Sequence, residues 1–313
     1  MKGMLSVIIP AMNEEGNIPA LVSAVRSAVE PLEVPYELII IDDGSRDGTW
    51  NALKEASKDC PELKGIRFAR NFGKEAAMSA GLKAATGECA VIMDADLQHP
   101  PETIGEMYSM WREGGYAVVE AKKRSRGKEG LVYKTFTKIF YGMLRRMSGL
   151  DLANASDFKL IDRRVIDVLN ASNEYRPFFR GTVEWMGYPT GRVEFDVRER
   201  NAGRSAFTPV KLVKYALSSV SAFTAVPLQF ATFFGGASLF ASAVLWIIAL
   251  VRAFVAPYVG AALILSAVML LCTGLILISL GIVGYYLSRV FDEQKGRPRY
   301  LIGEKFDGGN GNA

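Results

Sequence analysis

The stretch Val91-Ile92-Met93-Asp94-Ala95-Asp96-Leu97-Gln98-His99, followed by Pro100-Pro101-Glu102, decides how the rest of the chain is read. An apolar run of strand type reaches two carboxylates and stops at two prolines, which have no amide proton for further ladder pairing. Read as an extended segment, it alternates faces, so Asp94 and Asp96 point the same way. Two carboxylates that close repel each other unless a cation lies between them. Oxygen ligands suit a hard divalent ion, Mg2+ or Mn2+, which commonly binds substrate phosphates as well. A bare Asp-x-Asp is also the pattern of a solvated acidic turn, so the surrounding chain has to separate the two readings.

Working outward, residues 5–10 form a buried-strand pattern, followed by a helix with Ile18, Leu21, Val22 and Val25 on one face. Residues 36–43 are a second strand, after which Ser45 or Asp47 is placed to cap a helix beginning near Gly48. Residues 65–69 make a short third strand, and Arg70-Asn71-Phe72-Gly73-Lys74 leads into an alanine-rich helix. The paired carboxylates end the fourth strand, a helix covers 101–113, and residues 116–121 are a fifth strand. Alternating strands and helices imply an α/β protein with a mostly parallel sheet covered on both faces. Ligands of such sheets gather at the carboxyl ends of the strands. Asn13-Glu14, Asp42-Asp43, Arg70-Asn71 and Asp94/Asp96 all fall there, which together favour a polar ligand carrying phosphate.

The net charge of +4 over 313 residues gives no reason to expect a nucleic-acid partner. Cys60, Cys89 and Cys272 have no paired spacing, so neither a disulfide framework nor a zinc site follows. A single histidine, His99, excludes histidine-cluster metal sites and speaks against a Ser-His-Asp triad. In its own right His99 reads as a polar loop residue before two prolines. Trp185 and Tyr188 read as packing or interface residues.

Residues 226–251 and 259–288 are each long and apolar enough to cross about 30 Å of hydrocarbon. Arg252 is the charge at their connection, whereas Lys211, Lys214, Arg289, Lys295, Arg297 and Arg299 lie on the other side. The positive-inside rule then places both ends in the cytoplasm. Neither span carries an acid or base, so they read as an anchor and not an ion pathway. Residues 131–148 and 206–225 have apolar residues at helical spacing with lysine or arginine on the other face, a pattern suited to the headgroup plane. Residues 1–10 are too short an apolar run for a signal peptide. The expected organisation is a cytoplasmic catalytic domain over 1–205, a juxtamembrane helix over 206–225, a two-helix membrane hairpin over 226–288 and a cytoplasmic tail over 289–313.

Pro10-Ala11-Met12-Asn13-Glu14, Asp42 to Thr49, Arg70 to Lys74 and Asp94 to Gln98 occur in the order and spacing of family 2 glycosyltransferases, which the chain resembles. Asp157-Phe158-Lys159-Leu160, Phe179-Arg180-Gly181, residues 198–205 and the C-terminal hairpin narrow the likeness to polyprenyl-phosphate glycosyltransferases, such as bactoprenol glucosyltransferases and dolichol-phosphate mannose synthase. The resemblance implies the Rossmann-like GT-A nucleotide-sugar fold and inverting sugar transfer, with glucose from UDP-glucose as the leading donor. The acceptor is polyprenyl (undecaprenyl) phosphate at the inner membrane, and a tetrameric homo-oligomer is implied. It places Pro10, Asn13, Glu14 and Asp43 around the nucleotide base and ribose. Asp94, Asp96 and Gln98 surround the metal (Mg2+ or Mn2+) and the donor diphosphate. Arg124 and Arg126 match the acceptor-phosphate loop, and Arg200 and Arg204 a loop over the donor, although Ser205-Ala206 departs from the lysine often found there. Asp157 is implied near the acceptor and sugar, as a base or a positioning group.

An acceptor phosphate monoester, with a second pKa of about 6, is already an anionic nucleophile at neutral pH, which lessens the need for a base. Other readings are the same fold with GDP-mannose or UDP-N-acetylglucosamine, and a non-catalytic membrane-anchored binding protein. An Asp-x-Asp phosphatase would want its acids after the first strand, and a processive synthase would want more membrane spans.

Overall fold

The computed structural model describes residues 3–124, 156–172, 174, 178–196 and 260–308, with isolated positions between 237 and 251. The chain divides into one unit over Met1–Pro209 with Pro298–Ala313 and a second over Val210–Arg297.

In the first unit the order is β1 (Leu5–Ala11), α1 (Ile18–Val29), β2 (Tyr36–Asp42), α2 (Thr49–Ala56), β3 (Leu63–Phe68), α3 (Lys74–Ala84), β4 (Cys89–Ile92) and α4 (Thr103–Gly114). Then come β5 (Val118–Lys123), β6 (Lys159–Asp162), α5 (Arg163–Ala171), α6 (Phe179–Trp185) and β7 (Thr190–Phe195). The unit closes with β8 (Ile302–Asp307).

These strands form one sheet in the order β7-β5-β6-β4-β1-β2-β3-β8. Their interiors are buried on both sides, as continuous apolar runs such as Leu38-Ile39-Ile40-Ile41 require. Leu5, Val7 and Ile9 face a layer with α1, α2 and α4 residues including Leu21, Leu53 and Met107. Ile8, Ile39 and Ile41 face the opposite layer, with Met78 and Leu82 of α3 and Val165, Ile166 and Phe179 beyond. Gly81 lets α3 close on the sheet, because a Cβ there would collide with the buried side chains of Ile8 and Ile41.

The sheet is α/β as expected, but mixed. β1 pairs in parallel with β2 and β4, and β2 with β3. β6 enters antiparallel between β4 and β5, with Ile92 opposite Lys159. The strand order therefore reverses beside β1, and the crevice at the carboxyl ends of β1 and β4 is the position where open α/β sheets take ligands.

Two expectations change. The fourth strand ends at Ile92, and the chain turns over Ala95 and Asp96, with Leu97 at φ 56°. Asp94 and Asp96 thus sit on a turn and not on alternate positions of a strand, so the alternation that put them on one face does not operate there. The residues read as a C-terminal tail include β8, which pairs antiparallel with β3. Tyr300 stacks on Phe68 at 4.9 Å, and Phe306 packs on Trp50 at 5.2 Å, which ties this segment to the catalytic unit.

In the second unit, α7 (Gly260–Gln294) has 35 residues. Within it, residues Leu271–Gln294, of mean hydropathy 1.8, form the one helix among the described residues that is long and apolar enough to cross a membrane. Large apolar side chains such as Met269, Leu277 and Leu287 are exposed along it, as lipid-facing residues would be. The expected first span falls almost entirely outside the described residues, as do the amphipathic stretches 131–148 and 206–225.

Candidate active site

The crevice is built from loops that brace one another through backbone amides. After β1 the chain turns at Asn13, which takes a left-handed φ of 54°. Asn13 N–H donates to Ser45 Oγ at 2.9 Å, and Asn13 Oδ1 accepts from Arg46 N–H at 2.9 Å. Glu14 N–H donates to Thr49 Oγ1 at 2.9 Å, while its carboxylate accepts from Asn17 Nδ2 at 2.6 Å. The capping expected of Ser45 or Asp47 resolves in favour of Asp47, whose Oδ1 accepts from Thr49 N–H at the start of α2. Pro10 is half-buried at the end of β1.

Asp43 is buried, and its two oxygens accept from Phe72 N–H at 2.7 Å and Gly73 N–H at 2.9 Å. Burial pushes its carboxyl above the ordinary value, although these amides oppose the shift. Asp43 therefore shapes the pocket by holding the loop after β3. Gly73, at φ 99°, adopts a conformation costly for other residues and starts α3 so that Lys74 is its first residue.

On the Asp94 turn, Asp96 Oδ1 accepts from Gln98 N–H at 3.2 Å. Asp94 N–H donates to His99 Nδ1 at 3.3 Å. His99 is buried, stacked on Phe158 at 4.9 Å and edge-on to Phe195. It is a structural closure of the acidic turn more than a solvated loop residue.

Asp157 reaches the same place because β6 runs antiparallel to β4. Its carboxylate is buried and is gripped by Arg180, with Nη2 on Oδ2 at 2.7 Å and Nε on Oδ1. Lys74 Nζ lies 2.7 Å from Asp157 Oδ2 and also pairs with Asp94 Oδ1. Burial alone would raise the Asp157 carboxyl, but Lys74 and Arg180 outweigh it and hold it well below the usual carboxylate range. Burial works against the Lys74 ammonium too, and the Asp94 and Asp157 charges overcome it and raise it above the usual lysine range. Neither Lys74 nor Arg180 was assigned a role from the sequence. The available signal was weak: each closes a short motif, Arg70–Lys74 and Phe179–Gly181, at an element boundary.

Behind this cluster, Glu75 Oε2 accepts from Phe179 N–H at 3.0 Å. Burial pushes the Glu75 carboxyl up to about 7 from 4.5. A folded-state pKa above the unfolded one contributes stability that is full below pH 4.5 and is lost as pH rises toward 7. Relative to Glu75→Gln, which keeps an acceptor for Phe179, the wild type should therefore lose about 1–2 kcal/mol between those limits, discounted for partial exposure. Thermal melts of both proteins across that window test it, and parallel profiles would refute it.

Arg124 is exposed and pairs with Asp196 at 3.3 Å and Glu194 at 3.5 Å, at the end of β7. Arg126, Arg200 and Arg204 lie outside the described residues. Trp185 is exposed, whereas Tyr188 packs partly against the core.

Among the described residues no three His, Cys, Asp or Glu side chains cluster as a complete metal cage. Two carboxylates and an amide on one turn nevertheless fit Mg2+ or Mn2+, which typically take one or two protein carboxylates and complete their shell with substrate phosphates and water.

Similarity to known proteins agrees with this arrangement. Residues 6–169 match glycosyl transferase family 2. The chain is 37% identical over 302 residues to an uncharacterized glycosyltransferase of Synechocystis sp., covering 96% of this chain and 95% of that one. It is 33% identical over 304 residues to the bactoprenol glucosyl transferase of Shigella phage SfX, covering 95% and 98%. The structure is similar to glucosyl-3-phosphoglycerate synthase from Mycobacterium tuberculosis, with a TM-score of 0.50 and 20% identity over 71% of this chain and 79% of that one. That likeness confirms the GT-A fold. The strand-end loops, the acidic turn at the switch point and the matched residues together show that this chain is a glycosyltransferase belonging to family 2.

Proposed function

We propose that the protein transfers glucose from UDP-glucose to a polyprenyl phosphate at the cytoplasmic face of the membrane, with inversion at the anomeric carbon. The observation that carries this reading is the Asp94–Asp96 turn at the β1/β4 crevice, joined through Lys74 to the buried Asp157. Relatives named for bactoprenol glucosyl transfer, similar over 95% of the chain, support the choice of acceptor and sugar.

In this reading Pro10, Asn13, Glu14 and Asp43 line the pocket for base and ribose. Asp94, Asp96 and Gln98 hold Mg2+ or Mn2+, which when bound neutralises charge on the departing diphosphate. Arg200 and Arg204 close over the donor, and Arg124 and Arg126 draw in the anionic headgroup. The lipid phosphate is itself the nucleophile and attacks the anomeric carbon, while the bond to the diphosphate breaks on the opposite side. Asp157, kept ionised by Lys74 and Arg180, positions the reacting groups. The apolar α7 and the expected second span anchor the enzyme so that the crevice meets the headgroup plane, and the enzyme acts as a homo-oligomer.

Purified protein incubated with undecaprenyl phosphate, Mn2+ or Mg2+ and a panel of UDP-glucose, GDP-mannose and UDP-N-acetylglucosamine tests the reading. Glucosyl lipid formed from UDP-glucose in preference to the others is the expected outcome. Transfer from another donor alone would overturn the sugar assignment, and no lipid product from any donor would overturn the acceptor.

A further inference from the structure

We infer that Lys74 is a working residue of the reacting centre, which couples the Asp94 turn to Asp157 and offers its remaining N–H to a phosphoryl oxygen. The inference rests on the proposed transfer chemistry and adds to it a residue for which no role had been assigned.

Lys74 is held in place from behind. Asp43 fixes the two residues before it through Phe72 N–H and Gly73 N–H, and α3 starts at Lys74 itself. In front, its ammonium bridges Asp94 on the loop after β4 and Asp157 on the segment before β6. These two segments are far apart in sequence and meet only because β6 inserts beside β4. An ammonium has three donors, and two are directed at these carboxylates. The side chain is still 40% exposed, so the third donor is accessible from the crevice.

Charge favours the same role. Asp94, Asp96 and Asp157 carry three negative charges against the two positive charges of Lys74 and Arg180. A divalent cation on the turn reverses the net sign, so the site then attracts an anion. The lysine stands on the Asp157 side of Asp94, between the turn that would hold the donor diphosphate and the carboxylate implied near the acceptor. A phosphoryl oxygen arriving at this point belongs either to the departing diphosphate or to the attacking lipid phosphate. Both present the same anionic oxygen.

Lys74→Met and Lys74→Arg separate these sources. The measurements are lipid transfer (kcat and KM for undecaprenyl phosphate), slow UDP-glucose hydrolysis without lipid, UDP binding with Mn2+ by calorimetry, and thermal midpoints. Lys74→Met should lower transfer at least about tenfold, and Lys74→Arg, which keeps the charge, should recover a large part of that loss. If the oxygen belongs to the diphosphate, hydrolysis and UDP affinity fall along with transfer. If it belongs to the lipid, KM for undecaprenyl phosphate rises while hydrolysis and UDP affinity hold. Lys74→Met within about twofold of wild type on every measure overturns the inference. So does a lowered midpoint with no recovery in Lys74→Arg, which would make the lysine structural. A wild type that makes no glucosyl lipid refutes the proposed function instead, and UDP binding by the variants still tests Lys74.

Discussion

Asp96→Ala is expected to reduce sugar transfer by at least about 10²–10³-fold in metal-replete assay, the scale seen when a charge-stabilising group is removed from a reacting centre. The residue lies on the turn after β4, where its carboxylate is partly exposed to the crevice and also accepts from Gln98 N–H. Alanine removes both the charge and the acceptor that shapes the turn. Asp96→Asn separates the two, because an amide oxygen still accepts from Gln98 while the negative charge is gone. Both variants should fail to transfer, and both should bind Mn2+ and UDP together more weakly than wild type. Titrating Mn2+ against transfer and against UDP binding is the measurement. Wild-type turnover by Asp96→Asn would mean that this carboxylate holds no metal.

Asp157→Asn is the second large effect, and it should appear in both stability and rate. The carboxylate is buried and neutralised by Arg180 and Lys74. Removing one member of a buried pair typically costs about 3–5 kcal/mol. Here Lys74 and Arg180 keep 40% and 30% of their side-chain exposure, so water compensates in part. A loss of about 1–3 kcal/mol is expected at neutral pH, read as a lower thermal midpoint. The sign of the pH dependence follows from the depressed pKa. Its stabilisation is present above the ordinary aspartate value of 3.8 and is lost as pH falls below it. The gap between wild type and Asp157→Asn should therefore narrow on acidification, and a gap that widens would contradict the ion-pair assignment. Transfer should fall by about 10²-fold, because Lys74 and Arg180 lose the group that orients them. A carboxylate with both oxygens committed to cations is a poor proton acceptor. An already ionised phosphate nucleophile does not need one.

Much of this site could be read along the chain because its parts are local. Apolar runs such as residues 5–10 and 36–42 mark buried strands, and the intervening helical periodicity makes the protein α/β. Polar residues at strand ends then fall at the ligand-binding edge by the geometry of such sheets. The acidic pair was correctly singled out, yet by the wrong local geometry: the strand stops at Ile92, and a turn carries the two aspartates. Two prolines and a left-handed Leu97 disfavour further extension, and His99 then closes the turn from inside the core.

What the sequence by itself determined is the class of fold, the acidic turn as the centre of the chemistry, and an apolar C-terminal region fit for a membrane. Tertiary structure alone decided which distant charges meet there. Strand pairing is set by long-range packing and not by local periodicity, so nothing along the chain announces that β6 inserts antiparallel beside β4 and brings Asp157 to Asp94. Lys74 and Arg180 acquire their partners only through that pairing and through α3 and α6 packing on one face of the sheet. β8 escaped notice for a related reason: a short edge strand with mostly exposed, charged residues leaves no apolar signature, and only its ladder with β3 reveals it.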